Sequence, residues 1–560
     1  MSALLEAPPS SDWPYASEPP TVRLLSDEST AHPFALTIAA AWSCYGARPA
    51  QVENVLSLLD PAQDNGSELR PARRRRAEKL YGELFQAGHH TTFQHANFVF
   101  VIDGVSRLAI WSFFHHHPHY NSEQVSQRYR EVSGKTMVTP DLTPRQRALY
   151  QAAVDRALEG YRRLTDLLAP DVAARYAEIF PSRAKSRGPE AEQRMADAVQ
   201  KKAQEVARYV LPLATPAHLY HTINGLTLLR YYVLANQLDA PAEVRYLVNQ
   251  MVAEVLRVDP YFLGAPGFPL DLEILALPDT LEYEALAQLR ASLDASPDER
   301  FFEEFDAALG GYDSRLVSYD PRSAEKLAEA VRVVLGASRD VMSDADALAA
   351  VLDPRQNAYL GHALFLAMNS KLMQTLNHVS FTFQKRISGA EDAQNQRHRG
   401  TLSSGPVLSA HLRREPDVIT PYDVQRNPAA LEEYQATVAA LWQAKNALLD
   451  DGVPAEKVLY LLPNSHRLRF YESGTLMTHY WKWVKRLCFN AQREIFDSAH
   501  QETTQVSAVL PEIGRYVNGP PCVVRSTAGT KPACPEGERY CGVPVWLDFS
   551  PETLPARRIL

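Results

Sequence analysis

His95-Ala96-Asn97-Phe98-Val99-Phe100 and, 283 positions later, His378-Val379-Ser380-Phe381-Thr382-Phe383 are the two stretches on which the reading of this chain turns. Each begins on a histidine and runs into aromatic and β-branched residues, the composition of a strand entering a sheet. The first continues as Phe98 to Gly104 and is predicted to end at the Asp103-Gly104 turn signal. After it come His115-His116-His117 and Ser126-Gln127-Arg128-Tyr129; after the second comes Arg397-His398-Arg399. Both halves then show a helix, a Leu-Pro step (Leu211-Pro212 and Leu462-Pro463) and a final long helical region, which in the first half is expected over Thr215 to Val258. The same order twice indicates an internal duplication. The Leu-Pro steps are only 251 positions apart, so the first half carries 32 extra residues between these landmarks. Ser182 to Glu205, charged and poor in large apolar residues, is expected to supply most of them as a solvated helical excursion.

A chain of 560 residues is too long for one core and predicts two to four domains. With 58 Lys and Arg against 66 Asp and Glu, the formal charge of −8 offers no whole-chain electrostatic reason for nucleic-acid binding. A small ligand is the better expectation. No apolar run is long enough for a membrane helix, and the proline-rich start is unlike a signal peptide, so a cytoplasmic protein is expected.

Further helical spacing covers Ala35 to Ala47, Ala77 to Gln86 and Pro144 to Leu168, while Pro260 to Pro278 reads as a boundary. The expected organisation is an irregular lead over 1–34, a first half over 35–265, a linker region over 266–320, a second half over 321–515 and a Cys/Gly/Pro-rich tail over 516–560. Five cysteines are too few and too unevenly placed for a disulfide framework. Cys522, Cys534 and Cys541 crowd the tail, where they are either ligands of a zinc ion or buried free thiols. Arg73-Arg74-Arg75-Arg76 is expected on a solvated helix face. Contiguous histidines cannot all turn toward one ion, so His115-His116-His117 is not expected to hold a metal.

Guanidinium forks such as Arg397 and Arg399 suit phosphate or the electron-rich edge of a flavin or pyrimidine. Ser126 and Arg128, alternating along the chain, would present a hydroxyl and a guanidinium to one anion if the segment is extended. No base adjoins Ser126 in sequence, so it is read as a ligand to substrate rather than a nucleophile.

Together these pieces resemble the flavin-dependent thymidylate synthase family, whose signature is Arg-His-Arg followed by Ser-x-Arg. The first half matches through Gly88-His89, His95, Gly104-Val105-Ser106-Arg107, Glu123-Gln124, Ser126-Gln127-Arg128-Tyr129, Ala207 to Pro212 and Thr222-Ile223-Asn224. The second matches through His378 to Phe383, Gln394, Arg397-His398-Arg399, Tyr460 to Asn464, Arg486-Leu487-Cys488 and Ala491 to Ile495. Losses are complementary. His115-His116-His117 replaces Arg-His-Arg in the first half, Val125 is an extra residue there, and the second half has only Val407 and Ser409 where Ser-x-Arg belongs. Arg208 faces Leu459, Arg486 faces Ala235, Gln394 faces Ser112 and His89 faces Leu372.

The resemblance implies an α+β fold: two tandem copies of a helix-rich domain with a small antiparallel sheet, followed by the cysteine-containing tail. It implies reductive methylation of dUMP to dTMP, with FAD as redox carrier and NADPH and 5,10-methylenetetrahydrofolate as co-substrates. Glu123, Ser126, Arg128, Arg208, Gln394 and Arg486 would bind dUMP. Arg397, His398, Arg399, His89 and Asn224 would face FAD, and Arg397, His89 and Arg486 would serve the chemistry itself. Family sites form between subunits of a homotetramer, so a homodimer of this fused chain is expected, with active sites shared between the halves. A catalytically lapsed or repurposed flavin/nucleotide-binding homologue is the alternative, and methylation of another uracil nucleotide a third.

Overall fold

A computed structural model describes residues 13–60, 69–132, 137–181, 185, 188–235, 239–272, 285, 288–289, 298–550 and 554. The first half builds a four-stranded antiparallel sheet from β1 (Thr21–Leu24), β2 (Asn97–Ser106), β3 (Asn121–Gln124) and β4 (Pro216–Asn224), in the order β1-β2-β4-β3. A two-residue ribbon, β5 (Gly264–Ala265) with β6 (Phe268–Pro269), follows. In the second half β7 (Ser314–Tyr319), β8 (Ser380–Ser388), β9 (Leu402–Ser403) and β10 (Arg467–Thr475) make a sheet in the order β7-β8-β10-β9. The topology is the same twice.

Registers agree as well: Ile102 opposes Leu219 in the first sheet, and Lys385 opposes Phe470 in the second. Helices Pro33–Tyr45, Leu69–Gln86, Pro144–Ile179, Pro189–Ala207, Gly225–Leu234 and Pro241–Val258 surround the first sheet; Ser323–Leu335, Pro428–Asp450, Leu476–Arg486 and Arg493–Val509 serve the second.

Four expectations need correction. Asp103-Gly104 is not a turn: β2 continues to Ser106 through a register shift between Asp103 and Val105, with Gly104 at φ 86°. The left-handed backbone is what a bulge requires and what glycine supplies without a Cβ clash. Thr215 to Val258 is not helical throughout, because Pro216–Asn224 is β4, with Ala217, Leu219, His221 and Ile223 facing inward. The buried His221 hides the alternation that marks a strand. The lead over 1–34 contains β1, which pairs with β2, and the 266–320 segment contains the helix Glu299–Ala308 and β7, so both halves begin earlier than expected. Finally, the excursion is not a solvated arm throughout: helix Pro189–Ala207 ends with Ala203, Gln204, Glu205 and Ala207 buried. Its earliest part, at 182–184 and 186–187, lies outside the described residues.

The two halves meet about an approximate twofold axis that runs through the Leu-Pro steps. Pro212 bridges Pro463 in antiparallel fashion. Leu213 N–H donates to the Leu462 carbonyl and Asn464 N–H to that of Leu211; Ala214 and Ser465 repeat the exchange with Tyr460 and Tyr209. A second exchange is made by side chains. Ser106 donates its N–H and hydroxyl to Glu243 (2.7 and 2.6 Å), which also accepts from Tyr460 of the other half. Ser388 does the same to Glu494 (2.8 and 2.6 Å), which accepts from Tyr209. Each half thus caps its own strand-to-helix turn and lends a tyrosine to its neighbour. Burial pushes both carboxyls upward in pKa, so each is stable only with its ring of donors.

Helices Pro144–Ile179 and Pro428–Asp450 lie together beside this axis. Gly160 makes their approach possible, since a Cβ there would fall 2.2 Å from Thr437 Oγ1. The apolar core of the first half runs through this contact into Tyr434, Val438, Leu441 and Leu448, and a separate core fills the second half.

Candidate active site between the halves

Ser388 caps the short helix Gly389–Asn395 by accepting from Glu391 N–H, and that helix delivers Gln394 and then Arg397-His398-Arg399 to the seam between the halves. Helix Leu476–Arg486 brings Arg486 to the same place. From the first half, the end of helix Pro189–Ala207 contributes Glu205 and Arg208, and the turn after β3 contributes Arg128.

These side chains form one connected set. Arg128 Nε pairs with Glu205 Oε2 at 2.6 Å, and its Nη2 donates to the Asn490 carbonyl at 3.1 Å. Arg208 Nη2 donates to Gln492 Oε1 (2.6 Å) and to the Ala390 carbonyl (3.2 Å). Gln394 Nε2 also donates to Gln492 Oε1, while Gln394 Oε1 is buried with no partner. Arg486 donates through Nε to His398 Nε2 (2.8 Å) and through Nη2 to the Gln394 carbonyl (2.7 Å). Arg397 Nη2 meets Glu123 Oε2 at 2.5 Å, and Arg399 lies over the Tyr120 ring, 5.5 Å from its centroid.

Cations outnumber anions here. Burial lowers the Arg486 guanidinium to about 10, and Arg128 and Arg397 push it the same way. Burial likewise lowers Arg208. Burial alone would raise Glu205, but Lys202, Arg128 and Arg208 override it and hold the carboxyl down to about 2. His398 is pushed well below its ordinary value by burial, then by Arg486, so it is a neutral ring accepting at Nε2. A cluster with buried excess positive charge and an orphaned amide oxygen suits an anion that also carries an N–H donor.

Two cavities flank the set. One is lined by His115, Tyr120, Ser122, Glu123, Tyr220, Arg397 and Arg399, and it holds buried polar atoms without partners at Ser122 Oγ and His115 Nε2. The other is an open cleft beside Arg128, with Arg130, Lys201, Lys202, Tyr176 and Arg539 among its walls.

Arg128, Arg208, Gln394, Arg486, His398, Arg397 and Glu123 are therefore gathered, Arg399 beside them. His89 and Asn224 hydrogen-bond none of them: His89 is exposed at the start of a 3-10 turn, and the Asn224 side chain accepts from Thr227 N–H to cap its own helix. The segment 126–130 is a turn, not a strand. Ser126 Oγ accepts from Arg128 N–H at 3.2 Å, so the alternation expected to aim both at one anion is absent. Residues missed from sequence are Glu205, which fixes Arg128, and Gln492, which joins Arg208 to Gln394. Gln492 lies in the segment 491–495 used for the match, yet nothing in a lone glutamine marks it as a hub.

His115 stacks on Tyr120 (4.7 Å, 3°) and His117 bonds the Tyr231 hydroxyl at 2.7 Å. Burial lowers His115 to about 3 and His117 to about 4, consistent with neutral rings in an aromatic cluster. Among the described residues, the one group of three whose ligand atoms all lie within 4.8 Å of one another is Glu472, His479 and Glu502, and Lys385 and Lys482 already neutralise its carboxylates. Three tail cysteines do not close on a point in this way.

No helix among the described residues is long and apolar enough to cross a membrane. The sequence model of the family described as "Thymidylate synthase complementing protein" matches residues 25–261 and again 315–512. The flavin-dependent thymidylate synthase of Clostridium tetani is 28% identical over 249 residues, 44% of this chain and 86% of that protein. That of Geobacter sulfurreducens is 33% identical over 171 residues, 30% of this chain and 70% of that protein. Among solved structures, the UMP/dUMP methylase PolB of Streptomyces cacaoi bound with 5-Br dUMP aligns at 21% identity over 44% of this chain and 93% of its own, with a TM-score of 0.28, too low to carry an argument. With two successive matches over most of its length, and relatives of the same name, the chain belongs to the thymidylate synthase complementing protein family, the flavin-dependent thymidylate synthases, as a tandem two-copy member.

Proposed function

We propose that this chain is an FAD-dependent thymidylate synthase that methylates dUMP to dTMP at a site made jointly by its two halves. The observation that carries this is the union, within one polypeptide, of Arg128 and Arg208 from the first half with Gln394 and Arg486 from the second. Arg128 and Arg208 hold the phosphate of dUMP, with the Arg128 fork fixed by Glu205 and Asn490. Gln394 Oε1, buried and without a partner, accepts from the uracil N3–H. Arg486 stands against a uracil carbonyl, where its charge stabilises negative charge that develops on the ring. Neutral His398, accepting from Arg486, fixes the direction of that guanidinium.

The cavity beside Arg397 and Arg399 fits the flavin: its orphaned Ser122 Oγ and His115 Nε2 await polar partners, and the two guanidiniums suit an anionic, electron-rich ring system. FAD when bound there supplies the redox chemistry, drawing on NADPH, with 5,10-methylenetetrahydrofolate as carbon donor. Tyr120 and Tyr220 would line the site of the ring, and Glu123 pairs with Arg397 at its edge.

The test is an anaerobic incubation of purified protein with FAD, NADPH, methylenetetrahydrofolate and either dUMP or UMP, with products separated by chromatography. dTMP from dUMP is expected. Bound yellow flavin and bound dUMP without product would instead identify a repurposed binding protein, and a methylated product from UMP alone would move the substrate to the ribonucleotide.

His89 and Asn224 stand apart from the set in a single chain, so a second copy is the natural source of any contact they make to the flavin. The outer faces of both sheets also present equivalent exposed tyrosines, Tyr220 and Tyr471. A homodimer is therefore expected by size-exclusion chromatography with light scattering. A stable monomer that retains full activity would refute it.

A further inference from the structure

Four of the five cysteines line one small cavity. Cys488 follows helix Leu476–Arg486; Cys522, Cys534 and Cys541 arrive from the tail, and Phe489 and Pro521 complete the wall. We propose that Cys488, Cys522, Cys534 and Cys541 form a tetrahedral thiolate site for a zinc ion that fastens the C-terminal tail to the second half. Cys488, from outside the tail, is the fourth ligand that three tail cysteines lack.

Chance burial explains this gathering poorly, because Cys488 lies 34 positions before the first of the three tail cysteines and still meets them at a single void. Gly542, immediately after Cys541, has φ 86°, which turns the chain sharply after the sulfur. Four sulfurs around one void are the donor set that a soft divalent cation takes as thiolates. The sulfurs line the wall with no three within 4.8 Å of one another, so binding draws them inward by side-chain rotation.

The tail gives a reason for such a staple. It contributes Val517, Val524, Val545 and Leu554 to the second core, with little regular structure beyond the short helix Pro521–Thr527. Segments with so little apolar burial of their own are commonly fastened by metal. The staple also reaches the active-site set. Asn490, two residues beyond Cys488, offers its carbonyl to Arg128, and Cys541 borders the cleft beside Arg128 and Tyr129. Zinc thus acts as a positioning element for Arg128 without touching substrate.

The experiment uses the full chain, expressed with added zinc, purified without metal-affinity steps and desalted into chelator-treated buffer. Elemental analysis should give about one zinc per chain. In the folded protein, a thiol reagent should find only Cys44 reactive, with the other four released when a mercurial displaces the metal, and tail proteolysis should increase at the same step. Cobalt exchanged into wild-type protein should show thiolate-to-metal charge transfer and the strong visible bands of a tetrahedral site. The Cys522→Ser/Cys541→Ser variant should lose the metal. Folded wild-type protein with no stoichiometric zinc, or with zinc that survives that double substitution, overturns the proposal, as do disulfides among these cysteines. None of these readouts depends on thymidylate synthesis, so failure here and failure of the proposed reaction are distinguishable.

Discussion

Arg128→Lys and Arg486→Lys variants will each lose activity by about 100-fold or more, and a mixed dimer carrying one of each will stay inactive. The magnitude follows from the loss of at least one charge-assisted hydrogen bond to substrate per variant, worth about 1.5 to 3 kcal/mol each, together with the misdirected guanidinium geometry that lysine cannot reproduce. Lysine is chosen because it keeps a cation beside buried Glu205, whereas alanine at position 128 would strand that carboxylate and confuse lost binding with lost folding. The second part separates two ways of building the site. Arg128 and Arg486 belong to the same set within one chain, joined through Glu205, Arg208, Gln492 and Gln394. In a mixed dimer each set therefore carries one lesion. If Arg128 of one chain instead worked with Arg486 of the other, one of the two sites would be intact. Co-expression with two different tags isolates the mixed species. Activity near half of wild type would refute the intrachain site, while inactivity with native-like circular dichroism supports it.

The sequence made the duplication legible because its landmarks are backbone devices: strand entry at His95 and His378, and the Leu-Pro steps that prove to cross at the pseudo-twofold axis. It also singled out Arg128, Arg208, Gln394 and Arg486, four residues that the fold brings to one seam between the halves. The exchange of Tyr209 and Tyr460 onto Glu494 and Glu243 went unnoticed although its signal was present: all four residues, with Ser106 and Ser388, recur at matching offsets. Strands β4 and β10 were hidden for a physical reason. Their buried positions include His221, Arg469 and Glu472, polar groups whose burial depends on partners from distant segments, and periodicity of apolar residues cannot reveal those partners. Glu205 was hidden by its surroundings, a charged helix whose last turn alone enters the core.

A Lys385→Met substitution will cost about 3 to 5 kcal/mol of stability, the usual penalty for removing one partner from a buried ionic group. Lys385, Glu472, Lys482 and Glu502 are all essentially inaccessible to solvent. Lys385 Nζ lies 2.8 Å from Glu502 and 3.9 Å from Glu472, Lys482 pairs with Glu472, and Trp483 and Ser314 donate to Glu502 at 2.7 and 2.9 Å. The first half has solved the same packing problem without charge. At the positions matched by sheet register and by the 251-residue offset stand Ile102, His221, Tyr231 and Met251, all buried. Copying them as Lys385→Ile, Glu472→His, Lys482→Tyr and Glu502→Met should therefore cost far less than the single change, since no charge is left uncompensated. The pH dependence has a definite sign. Burial alone would raise Glu502 and Glu472, but Lys385 and Lys482 hold both below their ordinary 4.5, so their contribution is present above that pH and lost as pH falls. Burial would lower Lys385, but Glu472 and Glu502 hold it above its ordinary 10.5, so its contribution is complete below that pH and lost only as pH rises farther. Denaturant unfolding across pH should show the acid-side loss in wild type and its weakening in the fourfold variant. A cost below about 1 kcal/mol for Lys385→Met would mean that water reaches these charges and that the ionic core is not what holds the second sheet to its helices.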